Sequence, residues 1–172
     1  MASEDRKDPQ PSARPDTPKN AASQLQTILV PVDFSASSRK ALNYALAFGN
    51  QFSAKLAVLH VVELPYVGAG LGEMEAPPME TELRSYAEEH LKRMVETELA
   101  GHIEYTTLLR TGQPWYEVTE AAKETDAHLI IMGTHGYTGL KHVLMGSTAE
   151  RVVRHAPCPV LIVREREKEF VA

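Results

Sequence analysis

Two rhythms of apolar residues alternate along this chain. Thr27-Ile28-Leu29-Val30-Pro31-Val32 is a short, nearly unbroken apolar run, the pattern of a strand covered on both faces, β1. Pro31 removes a ladder donor, which a central strand tolerates only where pairing is ending, so the carboxyl end of β1 is expected there. Behind it, Asp33-Phe34-Ser35-Ala36-Ser37-Ser38 supplies several N-cap oxygens. Ala41, Leu42, Ala45, Leu46 and Phe52 then recur at helical spacing, predicting α1. Residues 55–62 read as β2. The stretch 63–79, rich in Gly and Pro and without periodicity, reads as a long loop.

Helical spacing returns over 80–99 through Leu83, Ala87, Leu91 and Val95, which predicts α2, and 103–109 reads as β3. Pro114 suits the first turn of a helix because its missing N–H is needed least there, so 114–123 is expected to form α3. His128-Leu129-Ile130-Ile131-Met132 reads as β4. Ser147 is placed to cap α4, which would run to His155, and 159–163 closes the series as β5. Strict alternation of this kind predicts an α/β fold, one doubly wound domain with a five-stranded parallel sheet and helices on both faces. With strand order 3-2-1-4-5, the ligand crevice lies beyond the carboxyl ends of β1 and β4, between Asp33 and Gly133.

Composition adjusts this picture at its margins. Residues 1–24 carry Pro9, Pro11, Pro15 and Pro18 among small polar residues and balanced charges, and read as a disordered tail. The domain is expected over 25–166, with a short C-terminal tail over 167–172. At 172 residues, with 43% hydrophobic and 24% charged residues, the chain has the balance of one globular domain. A formal net charge of -5 with no basic run argues against nucleic acid as a partner. No stretch approaches the ~20 apolar residues of a membrane helix, and the N-terminus lacks the apolar core of a secretory signal. A cytoplasmic protein without membrane insertion is therefore expected. Cys158, the one cysteine, sits between two prolines and reads as a packing residue. The seven histidines show no ligand spacing with carboxylates or cysteine, so no metal site is expected.

The chemistry concentrates after β4. Gly133-Thr134-His135-Gly136 is followed by nine residues, 137–145, and then by Gly146-Ser147-Thr148 at a helix start. Glycines let backbone N–H groups approach an anion, and a helix N-terminus adds unsatisfied donors and a favourable dipole. Phosphate is the natural guest, with Ser147 and Thr148 offering hydroxyls to it or to a phosphate-bound Mg²⁺. A turn without a ligand is the competing reading for Gly133 and Gly136. Asp33 reads equally as an N-cap and as a ligand contact. His135 could touch a phosphate, Lys141 and His142 could meet one or face water, and His60 reads as a strand-end residue with its ring hydrogen-bonded. Gly68-Ala69-Gly70-Leu71-Gly72 has the wrong spacing for a dinucleotide fingerprint and reads as loop.

The spacing G-x2-G-x9-G-S/T resembles the ATP-binding, UspA-like branch of the universal stress protein family. The resemblance runs over 26–164 and takes in Ile28-Leu29-Val30-Pro31-Val32-Asp33-Phe34-Ser35, Leu59-His60-Val61 and Ala156-Pro157-Cys158-Pro159-Val160-Leu161. It implies an adenine nucleotide alpha hydrolase-like fold and ATP as ligand, with or without Mg²⁺. It also implies adenine near Pro31, Val32, Asp33 and Val61, with Asp33 on the ribose or beside a cation. Met132 and Gly133 would line the ribose side, while Gly136, Gly146, Ser147 and Thr148 would hold phosphates. A homodimer through antiparallel pairing of the 159–163 edge strand is implied as well. The first function expected is an ATP-binding regulator of a stress response acting on an unnamed protein partner. A dimeric interaction module that binds no nucleotide is the alternative, and a true ATPase using Asp33 and His135 is the third. No G-x4-G-K-S/T loop, G-x-S-x-G elbow or serine triad is present, so slow ATP hydrolysis is the most that is expected.

Overall fold

The alternation in sequence becomes an alternation in space. The computed structural model describes residues 25–64, 77–134, 145–164 and 168. The elements are β1 Thr27–Pro31, α1 Ala36–Phe52, β2 Lys55–Val62, α2 Pro77–Glu98, β3 Tyr105–Thr111, α3 Pro114–Glu124, β4 Leu129–Gly133, α4 Ser147–His155 and β5 Val160–Val163. All neighbouring strands pair in parallel, in the order β3-β2-β1-β4-β5. Leu29 marks the centre, opposite Ala57 on one side and Ile130 on the other.

Successive strand residues point to opposite faces, which is why β1 needs apolar residues at every position. Ile28 and Val30 join α1 and α2 in one core, with Leu42, Leu91, Val95 and Leu99. Leu29 enters the other, with Val118 and Ala122 of α3 and Val152 of α4. All three β1 residues are fully buried. Each such side chain contributes about 1.5–3 kcal/mol by leaving water. Cys158 packs on the α3–α4 core, and burial pushes its thiol pKa up, in keeping with a packing role.

Several boundaries differ from expectation, each for a local reason. β1 ends at Pro31, so Val32 lies outside the strand, although its N–H still donates to the Leu59 carbonyl at 2.8 Å. Pro31 thus occupies the last strand position, where a missing donor costs least. α2 begins at Pro77 rather than residue 80, since proline is accommodated in a first turn. β3 runs two residues later than the spacing suggests, because its pairing partners are Leu56 to Val62. Ile103 instead packs against the α1–α2 core. β4 likewise starts at Leu129 and includes Gly133. The readings of the 1–24 tail and the Gly68 to Gly72 stretch lie outside the described residues, as does most of 167–172.

Candidate functional site

With α1 and α2 on one face and α3 and α4 on the other, strand order reverses between β1 and β4, and a crevice opens beyond their carboxyl ends. A cavity of about 280 Å³ occupies it. That volume is near the lower end for small-molecule clefts. Pro31, Val32 and Asp33 line it from β1, Leu59, Val61 and Glu63 from β2, and Met132, Gly133 and Thr134 from β4. Gly146, Ser147 and Thr148 line it from the start of α4, and Pro114 and Val118 from α3. Residues as far apart in sequence as Pro31 and Ala149 are thereby gathered into one cleft. His135 and Gly136, together with Lys141 and His142, lie outside the described residues.

The turn after β1 is tightly bonded. Asp33 does not cap α1. Ser35 does, its side-chain oxygen accepting from Ser38 N–H at 3.2 Å. Asp33 works one step earlier: its Oδ1 accepts from the Ser35 amide at 3.1 Å and from the Ser35 hydroxyl at 2.6 Å, an Asx turn. Ser38 Oγ in turn accepts from the Asp33 amide at 3.3 Å and donates to the Ser35 carbonyl. The carboxylate is thus held at the cleft wall by two donors, both from Ser35, within a turn that Ser38 closes from behind through the Asp33 amide.

Two glycines serve different ends. Gly133 has α1 lying against it: a β-carbon there would press into Ser37 Oγ and stand 3.0 Å from the Ser37 carbonyl carbon. The close approach of helix to strand therefore demands glycine whether or not a ligand binds. Gly146, and not Ser147, is the N-cap of α4, with φ -68° and ψ 154°. Any residue can adopt that backbone. What matters is that Gly146 provides no side-chain cap, so the first-turn amides of α4 face the cleft without one. Thr134 ties the two halves together, its carbonyl accepting from Gly146 N–H at 2.8 Å and its N–H donating to Val163 at 3.0 Å.

Sequence spacing did not reveal an aromatic stack behind Asp33. Phe34 lies at φ 65°, the left-handed region that bulky residues avoid, at a cost of order 1–3 kcal/mol. Its ring stacks on His60 at 4.3 Å and meets the edge of His90 at 5.4 Å, and His90 in turn packs on Tyr86 at 4.2 Å. His60 Nδ1 lies 2.8 Å from the Val32 carbonyl. A carbonyl only accepts, so Nδ1 carries the hydrogen. Burial lowers the His60 pKa, opposed by that bond and by Asp33 and aided by His90. A neutral imidazole thus fixes the turn that presents Asp33. The positive φ of Phe34 could not be read from sequence, since it goes with ring packing on residues far along the chain, His60 and His90.

Among the described lining residues, the charged ones are Asp33 and Glu63, both acidic. The positive end of α4 faces them across the cleft. Such a site can bind an anion at one end and offer carboxylate acceptors elsewhere. Among the described residues, no helix is long and apolar enough to cross a membrane.

Comparison with known proteins agrees with this arrangement. Residues 24–164 match the Universal stress protein family. Universal stress protein MJ0531 of Methanocaldococcus jannaschii is 34% identical over 153 residues, 88% of this chain and 89% of that protein. The structure of UspA from Lactobacillus plantarum superposes with a TM-score of 0.69 at 27% identity, covering 81% of this chain and 98% of that one. A family protein from Arabidopsis thaliana, solved with AMP bound, covers 82% of this chain and 92% of its own with a TM-score of 0.58. At 19% identity that last likeness shows the fold alone.

Proposed function

The chain belongs to the universal stress protein family, and we propose that this member is a cytoplasmic, ATP-binding regulator that works as a homodimer. The observation that carries the reading is the uncapped first turn of α4 opening into the same cavity as Asp33 and the β4 terminus. Unsatisfied amides and a helix dipole at one end of a cleft favour a polyphosphate. The apolar residues Pro31, Val32 and Val61 suit a base toward the β2 side, with Met132 and Gly133 along the ribose. Asp33 uses Oδ1 within its own turn, and Oδ2 is the acceptor for a ribose hydroxyl. Ser147 and Thr148 supply hydroxyls to the phosphates or to an accompanying Mg²⁺, and the sequence pattern offers Gly136 and His135, outside the described residues, as further phosphate contacts. That the Arabidopsis protein of this fold holds AMP is in keeping with an adenine nucleotide here.

Catalysis has no place in this proposal beyond slow hydrolysis. A positioned base is needed to activate water. Asp33, the carboxylate near β1, is engaged by Ser35 and held as a binding group. The functional unit spans 25–166, with 1–24 and 167–172 as tails, and its output is what the dimer presents to a protein partner when ATP is bound.

Extraction of the purified protein should release an adenine nucleotide. Added ATP with Mg²⁺ should stabilise the fold by about 2.7 kcal/mol at one hundred times Kd. A melting transition that ignores saturating ATP favours the other reading, an interaction module whose glycines serve packing, as the Gly133–Ser37 contact alone would allow.

A further inference from the structure

His60 is a half-buried titratable group beside the cleft that the proposed nucleotide contacts leave unused. It does not line the cavity, yet it grips the residues on either side of Asp33, which does. Its Nδ1–H donates to the Val32 carbonyl at 2.8 Å, and its ring stacks on Phe34 at 4.3 Å. Phe34 holds φ 65°, a left-handed conformation that persists only while its surroundings over-determine it. The stack on His60 and the edge contact with His90 of α2 are those surroundings. Charge is felt at His60 from Asp33, in the turn after β1, and from His90. Tyr86 of α2 packs on His90, β3 sets the apolar Leu109 opposite His60, and Glu63 follows the end of β2.

We propose that His60 is a proton-linked positioning residue: its neutral ring holds Asp33 in the nucleotide-binding arrangement, and protonating it loosens the turn and weakens binding. The inference rests on the cleft being a nucleotide site. With Nδ1–H already on the Val32 carbonyl, an added proton enters at Nε2 and puts a full charge on a ring stacked against Phe34. A half-buried cation needs water or a partner. Opening the Phe34 stack admits water, but the strained backbone beside Asp33 then loses the contacts that hold it. A bound nucleotide requires the closed turn and so drives the proton off. Burial already lowers the His60 pKa in the free chain, opposed by the Val32 bond and Asp33 and aided by His90. Binding lowers it further. Above the ordinary value of about 6.5 His60 is neutral in both states and affinity is level. Below it, the free chain takes up a proton that the complex refuses, and affinity falls. Phosphates pull the other way, yet the start of α4 lies beyond β4, two strands from β2 and roughly 10 Å or more away. That is about a Debye length in physiological salt.

Calorimetric titration with ATP and Mg²⁺ between pH 7 and pH 5, below the melting transition, tests this. The nucleotide's own phosphates titrate in that range, so the native chain is read against His60→Asn, whose amide keeps a donor for the Val32 carbonyl without titrating. From pH 7 to pH 5 the native affinity should fall on the order of fivefold more than the variant's, within the tenfold per pH unit that one proton allows. Phe34→Gly accepts the positive φ without strain and has no ring to stack, so it should lose the excess fall while keeping His60. In the native chain alone, NMR titration of the His60 ring should give a lower pKa with ATP bound than without. A pKa that is equal or higher in the complex overturns the inference and leaves the nucleotide site standing. Equal falls in the native chain and His60→Asn overturn it too, as does a native affinity that rises toward pH 5 relative to the variant. If the native chain binds no ATP at pH 7, the site reading itself fails, and the inference with it.

Discussion

Gly133 and Ser37 touch where α1 crosses the end of β4, the glycine backbone against a buried hydroxyl that has no hydrogen-bond partner among the described residues. A methyl group at Gly133 has backbone as well as side chain in its way. Gly133→Ala should therefore cost about 1–3 kcal/mol, as overpacking does, and urea unfolding measures it. Ser37→Ala removes a buried oxygen that no described residue satisfies, so it should be neutral or stabilising in the same assay. Equal tolerance of both changes would mean that α1 sits farther from β4 than described.

Gly146 separates stability from binding. Its backbone dihedrals suit any residue, so Gly146→Val should fold, yet its branched side chain would stand where phosphates approach. Gly146→Asp is more telling. An aspartate N-cap would satisfy the α4 amides from within the chain and stabilise the helix by up to about 1 kcal/mol. ATP affinity should fall at least tenfold in both variants, while the ligand-free melting temperature of Gly146→Asp holds or rises.

His60 makes stability sensitive to acid. Burial depresses its folded pKa below 6.5, so as pH falls the unfolded chain takes up the proton first. Its contribution is complete above about pH 6.5 and is lost progressively below it. His60→Asn keeps a donor near the Val32 carbonyl without a titrating ring. The variant should start less stable, having lost the Phe34 stack, but its melting temperature should decline less between pH 7 and pH 5 than the native chain's. Parallel declines would show that His60 is not held neutral.

β5 offers its edge for pairing. Pro159 and Val163 carbonyls accept from Ile130 and Thr134 of the β4 side, so the backbone groups of Val160 and Ile162 point the other way. Light scattering should return twice the 19.0 kDa chain mass. Ile162→Pro deletes an outward N–H while sparing the β4 ladder, and should return the single-chain mass with circular dichroism still showing α/β structure. A native monomer at micromolar concentration would contradict edge pairing.

The order of elements was legible because each strand is a continuous apolar run and each helix an amphipathic one, and those patterns follow from burial on two faces or one. Pro31 and His60 were likewise placed by sequence, the first at a strand end and the second hydrogen-bonded beside it. What failed to show was local competition. Asp33, Ser35, Ser37 and Ser38 all can cap a helix, and only the chain's path decided for Ser35. Ser147 looked like a cap beside Gly146, but the hydroxyl lies one residue too late. Gly133 reads from sequence either as clearance for a ligand or as a plain turn, and neither reading anticipates α1 lying against it. Phe34 and Glu63 drew no attention because their significance depends on neighbours brought together by the fold.

A crystal structure grown with ATP and Mg²⁺ tests the account most directly. It should place phosphate oxygens about 2.7–3.2 Å from the amides of Ser147 and Thr148, with the base beside Val61. A nucleotide bound elsewhere, or a cleft closed by side chains at saturating ATP, would contradict it.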